Sequence, residues 1–534
     1  MRTLLPLIAL AAPIMLATVA FVHAASSAPR RFAGAAVSVS MVALGLALAC
    51  GLAVALAGPV TSPMLGLAGI GLSVHVDALS SIMLALVAFI GVIVVRYSRN
   101  YLDGDPGHAS FIRWLLLALA SVLTLLVAGN LALLILAWIA TSLTLNKLLL
   151  FYPGRPAARR AAAKKFWISR IGDACLLAAS ALLYARFGTL EIASLGEAAR
   201  AAAGLGGPST LVTLAALLVV ATAILKSAQL PLHGWLLEVM ETPTPVSALL
   251  HAGIINAGGF LVLRLADVML LATPALEVLA LIGGATALFG SLVLLTQTSV
   301  KVQLAYSTVA QMGFMLLQCG LGAFSSALLH IVAHSLYKAH AFLSSGSVMD
   351  LARASWSPSP GGQPHPARLV MALGVVVAMT LLIAGVFGPS PGVNPGSIAL
   401  GAVLLMALVH LMAGAIDERP NAYVVARTGL CATAVAAAYF GLQAATAYLT
   451  ADSLPPGGAL AGMPEVAIAT LVIVSFAGLT VFQSQMARHA SEPFWQAAYV
   501  HLSHGLYLNT LANRFLLRAA PAARRRSTAQ QANH

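Results

Sequence analysis

Apolar stretches long enough to cross a lipid bilayer recur along almost the whole of this chain. A helix needs about 20 apolar residues to span the roughly 30 Å hydrocarbon core of a membrane. Of the 534 residues, 60% are hydrophobic and only 8% are charged, whereas soluble domains carry about a quarter charged residues. The sequence therefore predicts an all-α integral membrane protein with about fifteen transmembrane helices.

The basic residues predict how these helices are oriented. The spans are predicted at residues 3–22, 33–58, 76–97, 112–128, 131–151, 166–185, 210–227, 244–269, 275–297, 302–319, 323–349, 368–388, 397–416, 424–448 and 463–485. Lys and Arg are concentrated in alternate connections, including a basic loop at 154–165, and such loops face the cytoplasm. The connections 58–73, 388–396 and 453–463 contain neither residue. The amino terminus is therefore predicted outside and the carboxy-terminal tail inside.

Both ends of the chain carry segments that need separate interpretation. Residues 1–25 are interpreted as a retained first helix, although a cleaved signal peptide has a similar pattern. Residues 494–518 mix aromatic, apolar and basic side chains, which is typical of an amphipathic helix at a membrane surface or on a partner. The residues from 524 onward are predicted to be disordered.

A Lys, a Gln and a Pro interrupt the seventh span within six residues. Pro231 removes a backbone donor, so the helix is predicted to break just after Lys226. Broken helices are tolerated in membranes only where protein or water satisfies the freed backbone groups, and they mark ion pathways in transporters. Lys226 is thus a candidate proton carrier, with a snorkelling lysine near a helix end as the alternative.

Other ionisable residues lie within predicted spans, where a charge is costly and is a functional candidate. Glu241 precedes a helix that carries His251. His330, His334 and Lys338 recur every four residues, which stacks them on one helix face over roughly 12 Å. This file predicts a proton wire, and haem ligation is the competing chemistry for stacked histidines.

Arg170 and Asp173 lie at the start of the sixth span. Their spacing allows them to pair with each other, and Asp173 could instead be the counter-charge to Lys226. For Asp77, at the start of the third span, anchoring at the membrane interface is the default interpretation.

Several function classes are not predicted. The formal net charge of +13 is spread over short connections rather than one basic face, so nucleic-acid binding is not expected. No phosphate-binding or dinucleotide-binding glycine motif is present, and the four cysteines lie singly in apolar stretches. No cofactor or metal is therefore predicted on this chain.

The ordered motifs resemble the proton-translocating, antiporter-like subunits of respiratory complex I and of multisubunit cation/proton antiporters. The matching segments are 169–173 (SRIGD), 226–232 (KSAQLPL), 243–251 (PTPVSALLH), 304–308 (LAYST) and His334 with Lys338. The resemblance implies inverted five-helix repeats, each with a discontinuous helix. It also implies that Lys226, His251, His330, His334 and Lys338 are links in the proton pathway.

The departures from that pattern point to a narrower relative. Ile139 stands where these subunits have a glutamate, with Lys147 two turns later, and the second broken helix, at 381–396, has no lysine. With its shortened second half, the chain resembles the DabB membrane subunits of DAB-type inorganic-carbon pumps. That resemblance implies a proton-conducting subunit in a bacterial inner membrane. It also implies a large cytoplasmic DabA-like partner that resembles a β-carbonic anhydrase and carries the zinc.

Two alternatives are an antiporter-like subunit of an NADH-quinone oxidoreductase or cation/proton antiporter, and a non-conducting scaffold for a soluble enzyme. The scaffold leaves Lys226, His334 and Lys338 unexplained inside the bilayer. The predicted organisation is a set of amino-terminal helices at 1–110, a proton-conducting core at 111–350, further helices at 351–485 and a basic tail at 486–534.

Overall fold

The structure, a computed structural model, has helices in every predicted span. It describes residues 5–22, 29–204, 209–346, 366–387, 395–415, 422–456, 462–486 and 489–518. Within these residues, eleven helices are long and apolar enough to cross a membrane. All fifteen predicted spans coincide with helices, so the predicted all-α membrane fold is confirmed.

The elements follow one another without any large extramembrane insertion in the described residues. The first helices are α1 Leu5–Val22, α2 Pro29–Ala57, α3 Ala78–Tyr101, α4 His108–Leu126, α5 Leu131–Leu149, α6 Pro156–Phe187, α7 Ile192–Ala203 and α8 Thr210–Lys226. Then come α9 Gly234–Glu238, α10 Thr244–Ala252, α11 Ala257–Arg264, α12 Ala266–Leu270, α13 Thr273–Leu294, α14 Val300–Gly320 and α15 Phe324–Leu343. The last are α16 Pro366–Phe387, α17 Pro395–Ala415, α18 Ala422–Leu449, α19 Met463–Met486, α20 Pro493–Ser503 and α21 Leu508–Arg518.

The connection between α2 and α3 forms two small antiparallel sheets that the sequence did not reveal. Strand β1 (Val60–Thr61) pairs with β4 (His75–Val76), and β2 (Leu65–Leu67) pairs with β3 (Ile70–Leu72). Gly69 turns the second hairpin with a φ of +76°, which suits a residue without Cβ. Its carbonyl accepts a hydrogen bond from the Leu190 N–H at 2.9 Å, so the hairpin is fastened to the α6–α7 connection.

One continuous apolar core joins Leu5 on α1 to Phe342 on α15. The tightest packing within this region is between α13 and α14, where glycines rather than larger residues lie at the contact. A Cβ added at Gly283 would lie 2.6 Å from the Leu317 nitrogen, and one at Gly313 would lie 2.5 Å from the Ala287 nitrogen. Small residues allow this backbone contact between membrane helices. A second, smaller apolar cluster joins α16, α17 and α18.

Helix α6 begins earlier than the sequence predicted. Its first residue is Pro156, not 166, so most of the predicted basic loop at 154–165 is helical. Proline is favoured at a first helical position, and the alanines that follow are strong helix formers. The sequence did not predict this extension because residues 156–165 lack the apolar pattern of a membrane span. Its consequence is that Lys165 is not a cytoplasmic loop residue but is buried inside the protein.

The eighth predicted span, 244–269, is not one helix. A 3₁₀ turn at Ile254–Asn256 separates α10 from α11, and Leu265 separates α11 from α12. Close packing at Gly258 accompanies the first interruption, since a Cβ there would lie 2.6 Å from the Ala223 carbonyl oxygen of α8. The predicted tail helix at 494–518 is likewise divided by a turn at Gly505–Tyr507. The residues from 524 onward, and part of 381–396, lie outside the described residues.

Candidate functional site

The predicted break after Lys226 is confirmed. Helix α8 ends at that residue, and Ala228 adopts a left-handed conformation with φ +52°. The Leu230 N–H donates to the Thr286 hydroxyl at 3.2 Å, and the Ser227 hydroxyl donates to the Ile255 carbonyl at 2.9 Å. Protein groups thus satisfy the interrupted backbone, as a break inside a membrane requires. The Ser227 contact also joins this break to the interruption between α10 and α11.

Lys226 is buried, with 7% of its surface exposed. Its Nζ lies 4.4 Å from the centroid of the Trp138 ring, in a cation–π contact. Among the described residues, no atom accepts a hydrogen bond from this Nζ. The lysine therefore packs against an aromatic ring of α5. The next residue on that helix is Ile139, which stands where the resembled subunits have a glutamate.

Asp173 supplies the negative charge near Lys226. It forms an ion pair with Arg170 at 2.6 Å, one turn away on α6. It also lies near enough to Lys226 to interact electrostatically with it. Both roles that the sequence left open for Asp173 are therefore compatible with the geometry, and the shorter contact is the one to Arg170.

Lys165 is the functional candidate that the sequence analysis missed. Its side chain is 3% exposed, and its Nζ donates to the carbonyl and the hydroxyl oxygen of Ser142, at 3.1 and 2.8 Å. Lys165, Ser169 and Asp173 follow one another at four-residue spacing on α6, so they share a helix face. This four-residue spacing is the sequence pattern that indicates a shared face. A span that begins at 166 leaves Lys165 out of the pattern.

His251 lies on α10, which packs against α15 and α3. The side chain is fully buried, its Nδ1 is 3.0 Å from the Thr308 hydroxyl, and its ring stacks on Phe342 with centroids 4.3 Å apart. Its Nε2 has no hydrogen-bond partner among the described residues. One ring nitrogen is thus held by a hydrogen bond, and the other has none in the described part of the chain.

The predicted file on α15 is present. The rings of His330 and His334 are 6.1 Å apart, and Lys338 lies one turn further on. Lys338 is fully buried, and its Nζ donates to the Leu304 carbonyl at 3.0 Å. His330, which is half-buried, lines a groove of about 390 Å³ together with polar side chains from α14, α15 and α18, namely Gln311, Gln318, Ser326 and Gln443. One end of the file therefore borders a largely apolar groove that contains these few polar side chains.

Of the two remaining predicted site residues, Lys147 does not join these groups. Lys147 is exposed at the end of α5, with its Nζ 5.8 Å from the Trp114 ring. Glu241 ends the 3₁₀ turn Val239–Glu241, and its side chain lies outside the described residues. A search of the described ranges finds no group of three or more His, Cys, Asp or Glu side chains that could hold a metal ion.

A polar pocket of about 190 Å³ lies where several connections predicted to face outward meet. At its base, Arg264 forms a buried ion pair with Asp77, with Nη1 and Oδ2 2.9 Å apart. Asp77 is thus more than an interface anchor. Nearer the surface, burial raises the pKa of the Asp267 carboxyl above its usual value. Arg200, 2.9 Å away, offsets only part of that rise.

On the opposite side of the bundle, the carboxy-terminal tail is fastened to the segment that follows the break. The Lys164 ammonium donates to Glu238 at 3.0 Å and to the side-chain oxygens of Asn509 and Asn513 at 2.7 Å each. Both asparagines also donate to the Glu238 carboxylate. Close by, the buried His233 packs beside the rings of Phe289 and Tyr306, with centroids 5.0 and 6.4 Å away.

Comparison with known proteins identifies the family. Residues 128–357 match the model described as NADH:quinone oxidoreductase/Mrp antiporter, and residues 65–112 match the amino terminus of chain 5 of NADH-ubiquinone oxidoreductase (complex I). In fold, the chain is similar to a solved Mrp complex of Dietzia sp. DQ12-45-1b. The TM-score is 0.65 with 24% identity, over 97% of this chain and 60% of the other.

Two curated relatives indicate a narrower family than these models do. A probable inorganic carbon transporter subunit DabB of Hydrogenovibrio crunogenus is 44% identical over 59% of this chain and 61% of its own length. A probable inorganic carbon transporter subunit DabB2 of Halothiobacillus neapolitanus is 39% identical over 85% of this chain and 82% of its own length. Identity at that level across most of both chains shows that this multi-pass membrane protein belongs to the DabB family of inorganic carbon transporter subunits.

Proposed function

We propose that this chain is the proton-conducting membrane subunit of an energy-coupled inorganic-carbon uptake complex. Cation flux through it drives the hydration of carbon dioxide to bicarbonate on a large cytoplasmic DabA-like partner, which resembles a β-carbonic anhydrase and carries zinc. The chain itself supplies energy and performs no catalysis. The complex lies in a bacterial inner membrane, with the amino terminus of this subunit outside and its carboxy terminus in the cytoplasm.

The observation that carries this proposal is the environment of Lys226. A lysine buried at a helix break, supported by an aromatic face rather than by its own carboxylate, can gain and lose a proton at low cost. Protons descend from the outer side along a pathway that includes Lys226, His251 and the file of His330, His334 and Lys338. Arg170 and Asp173 set the charge around Lys226.

Two features support the proposed orientation. The pocket at Asp77 and Arg264 is lined by parts of three connections. The first and the last of these include the stretches 58–73 and 453–463, which contain neither Lys nor Arg, as expected on the outer side, whereas the middle one carries Arg186 and Arg200. The contact between Lys164 and the carboxy-terminal tail joins segments predicted to be at the cytoplasmic side. The separation of these two sets of polar groups supports the proposed orientation.

The proposal is tested by replacing Lys226 with alanine in cells that depend on the complex for bicarbonate accumulation. We expect accumulation to fall by about a hundredfold or more, because proton relays by a positioned group contribute on that order. The exposed Lys147→Ala variant is the matched control and should accumulate bicarbonate normally. Assembly is checked by copurification of the partner subunit. Normal, uncoupler-sensitive uptake by an assembled Lys226→Ala complex would overturn the proposal.

A further inference from the structure

Two buried lysines on different helices line the same small cavity. Lys165 reaches it from α6 and Lys226 from α8, and Ser169, Trp235 and Ile254 complete much of its wall. Its volume is about 10 Å³, which is room for one water molecule. A bicarbonate ion does not fit in this volume, whereas a proton can pass between the two amino groups through one water molecule.

The charges around this cavity do not balance if both lysines are protonated. Three cationic side chains face the site, those of Lys165, Arg170 and Lys226, against the single carboxylate of Asp173. Arg170 already pairs with that carboxylate at 2.6 Å. The remaining polar neighbours, Ser142, Ser169 and the two tryptophans, are neutral. Because like charges disfavour each other strongly in a buried site, the two lysines together keep only one positive charge.

Each lysine has its own means of stabilising that charge. A protonated Lys165 donates to two oxygen atoms of Ser142. A protonated Lys226 has the Trp138 face 4.4 Å from its Nζ and the negative charge of Asp173 nearby. The proton can therefore reside on either lysine. Neither position requires a rearrangement of the backbone.

We propose that Lys165 and Lys226 form a pair that shares one proton, and that Lys165 is the next carrier after Lys226 on the cytoplasmic side. In the transfer step, an N–H bond of the Lys226 ammonium breaks as a water oxygen takes its proton. An O–H bond of the same water breaks as the Lys165 amine takes another proton, so the water is regenerated. Lys165 adjoins Lys164, whose contacts with Glu238 lead to the predicted cytoplasmic surface. This inference rests on the proposed conduction of protons.

The protonation states can be measured in the assembled complex. The protein is labelled with ¹⁵N at the lysine side chains, reconstituted in lipid, and its Nζ signals are recorded by solid-state NMR at neutral pH. We expect a neutral-amine signal that is lost in both Lys165→Met and Lys226→Met, because the remaining lysine takes up the shared proton. The exposed Lys147→Met variant should keep that signal. If Lys165→Met and wild type show the same neutral amines, the shared proton is refuted.

A second measurement separates proton transfer from a structural role. Lys165→Arg keeps the charge and the donors to Ser142, but an arginine does not release its proton. We expect proton flux in proteoliposomes to fall by about a hundredfold in Lys165→Arg, as in Lys165→Met. Flux restored by the arginine would overturn the pair while leaving the role of Lys226 intact. Flux unchanged in Lys226→Met would instead overturn the proposed function itself.

Discussion

The charged residues in the described part of the chain differ greatly in how far water can reach them. The Asp77–Arg264 pair is 4% exposed on both sides, whereas the Arg30–Asp103 pair is 80% and 42% exposed. Removing one partner of a buried pair leaves an unpaired charge, while an exposed ion can be solvated by water instead. The two pairs therefore form a matched test of what burial does to an ion pair in this protein.

We expect Asp77→Asn to destabilise the protein by about 3–5 kcal/mol, because Arg264 then keeps a buried charge without its partner. The double variant Asp77→Asn with Arg264→Met should recover much of the loss, because the asparagine still accepts from the Ser80 N–H that caps α3. The measurement is the thermal unfolding midpoint of the solubilised complex. Asp103→Asn serves as the control and should leave that midpoint unchanged. An equal shift in both single variants would show that burial is not the cause.

At the scale of elements, the two interrupted helices depend on each other and on the tail. Ser227 in the first break bonds to Ile255 in the second, so neither can straighten without breaking a contact made by the other. The carboxy-terminal helix α21 approaches the segment after the first break so closely that a Cβ at Gly234 would collide with the Asn509 side chain. The tail therefore holds α9 in place.

The joint replacement of Asn509 and Asn513 by leucine should release the tail. Hydrogen bonds to charged groups are worth about 1.5–3 kcal/mol each, and these side chains supply four with Lys164 and Glu238. We expect faster amide hydrogen exchange throughout residues 493–514. Gln496→Leu is the control, since that side chain bonds only within the tail, to Ser491. Unchanged exchange in the double variant would contradict the docking of α21.

At the scale of the whole molecule, the polar groups are divided between two ends of the bundle and a buried set between them. The pocket at Asp77 and Arg264 lies at one end and the Lys164 contacts with the tail lie at the other, while the lysine and histidine groups lie on the helices between them. Conduction in one direction requires that these ends face opposite sides of the membrane.

Single cysteines at the two ends test that arrangement. In a chain whose native cysteines are changed to serine, Leu67→Cys on the hairpin should react with an impermeant maleimide added to intact cells. Asp103→Cys, in the connection between α3 and α4, should react only after the membrane is permeabilised. The reverse pattern would show that the amino terminus is inside.

Sequence patterns and long-range contacts determined different parts of this protein. The sequence alone determined the spans, because a membrane helix satisfies its backbone within itself and so depends only on a local apolar run. It also determined the break at Pro231 and the stacking of His330, His334 and Lys338, since proline chemistry and the helical period are equally local.

Only the tertiary structure decided which side chains meet. Lys165 lies in a segment with a loop-like composition, and it is buried because α5 and α8 cover it. The interruption at Ile254–Asn256 and the Asp77–Arg264 pair likewise depend on residues far away in sequence. Charges inside a membrane are tolerated where other parts of the fold enclose them, and no local pattern reports where that enclosure lies.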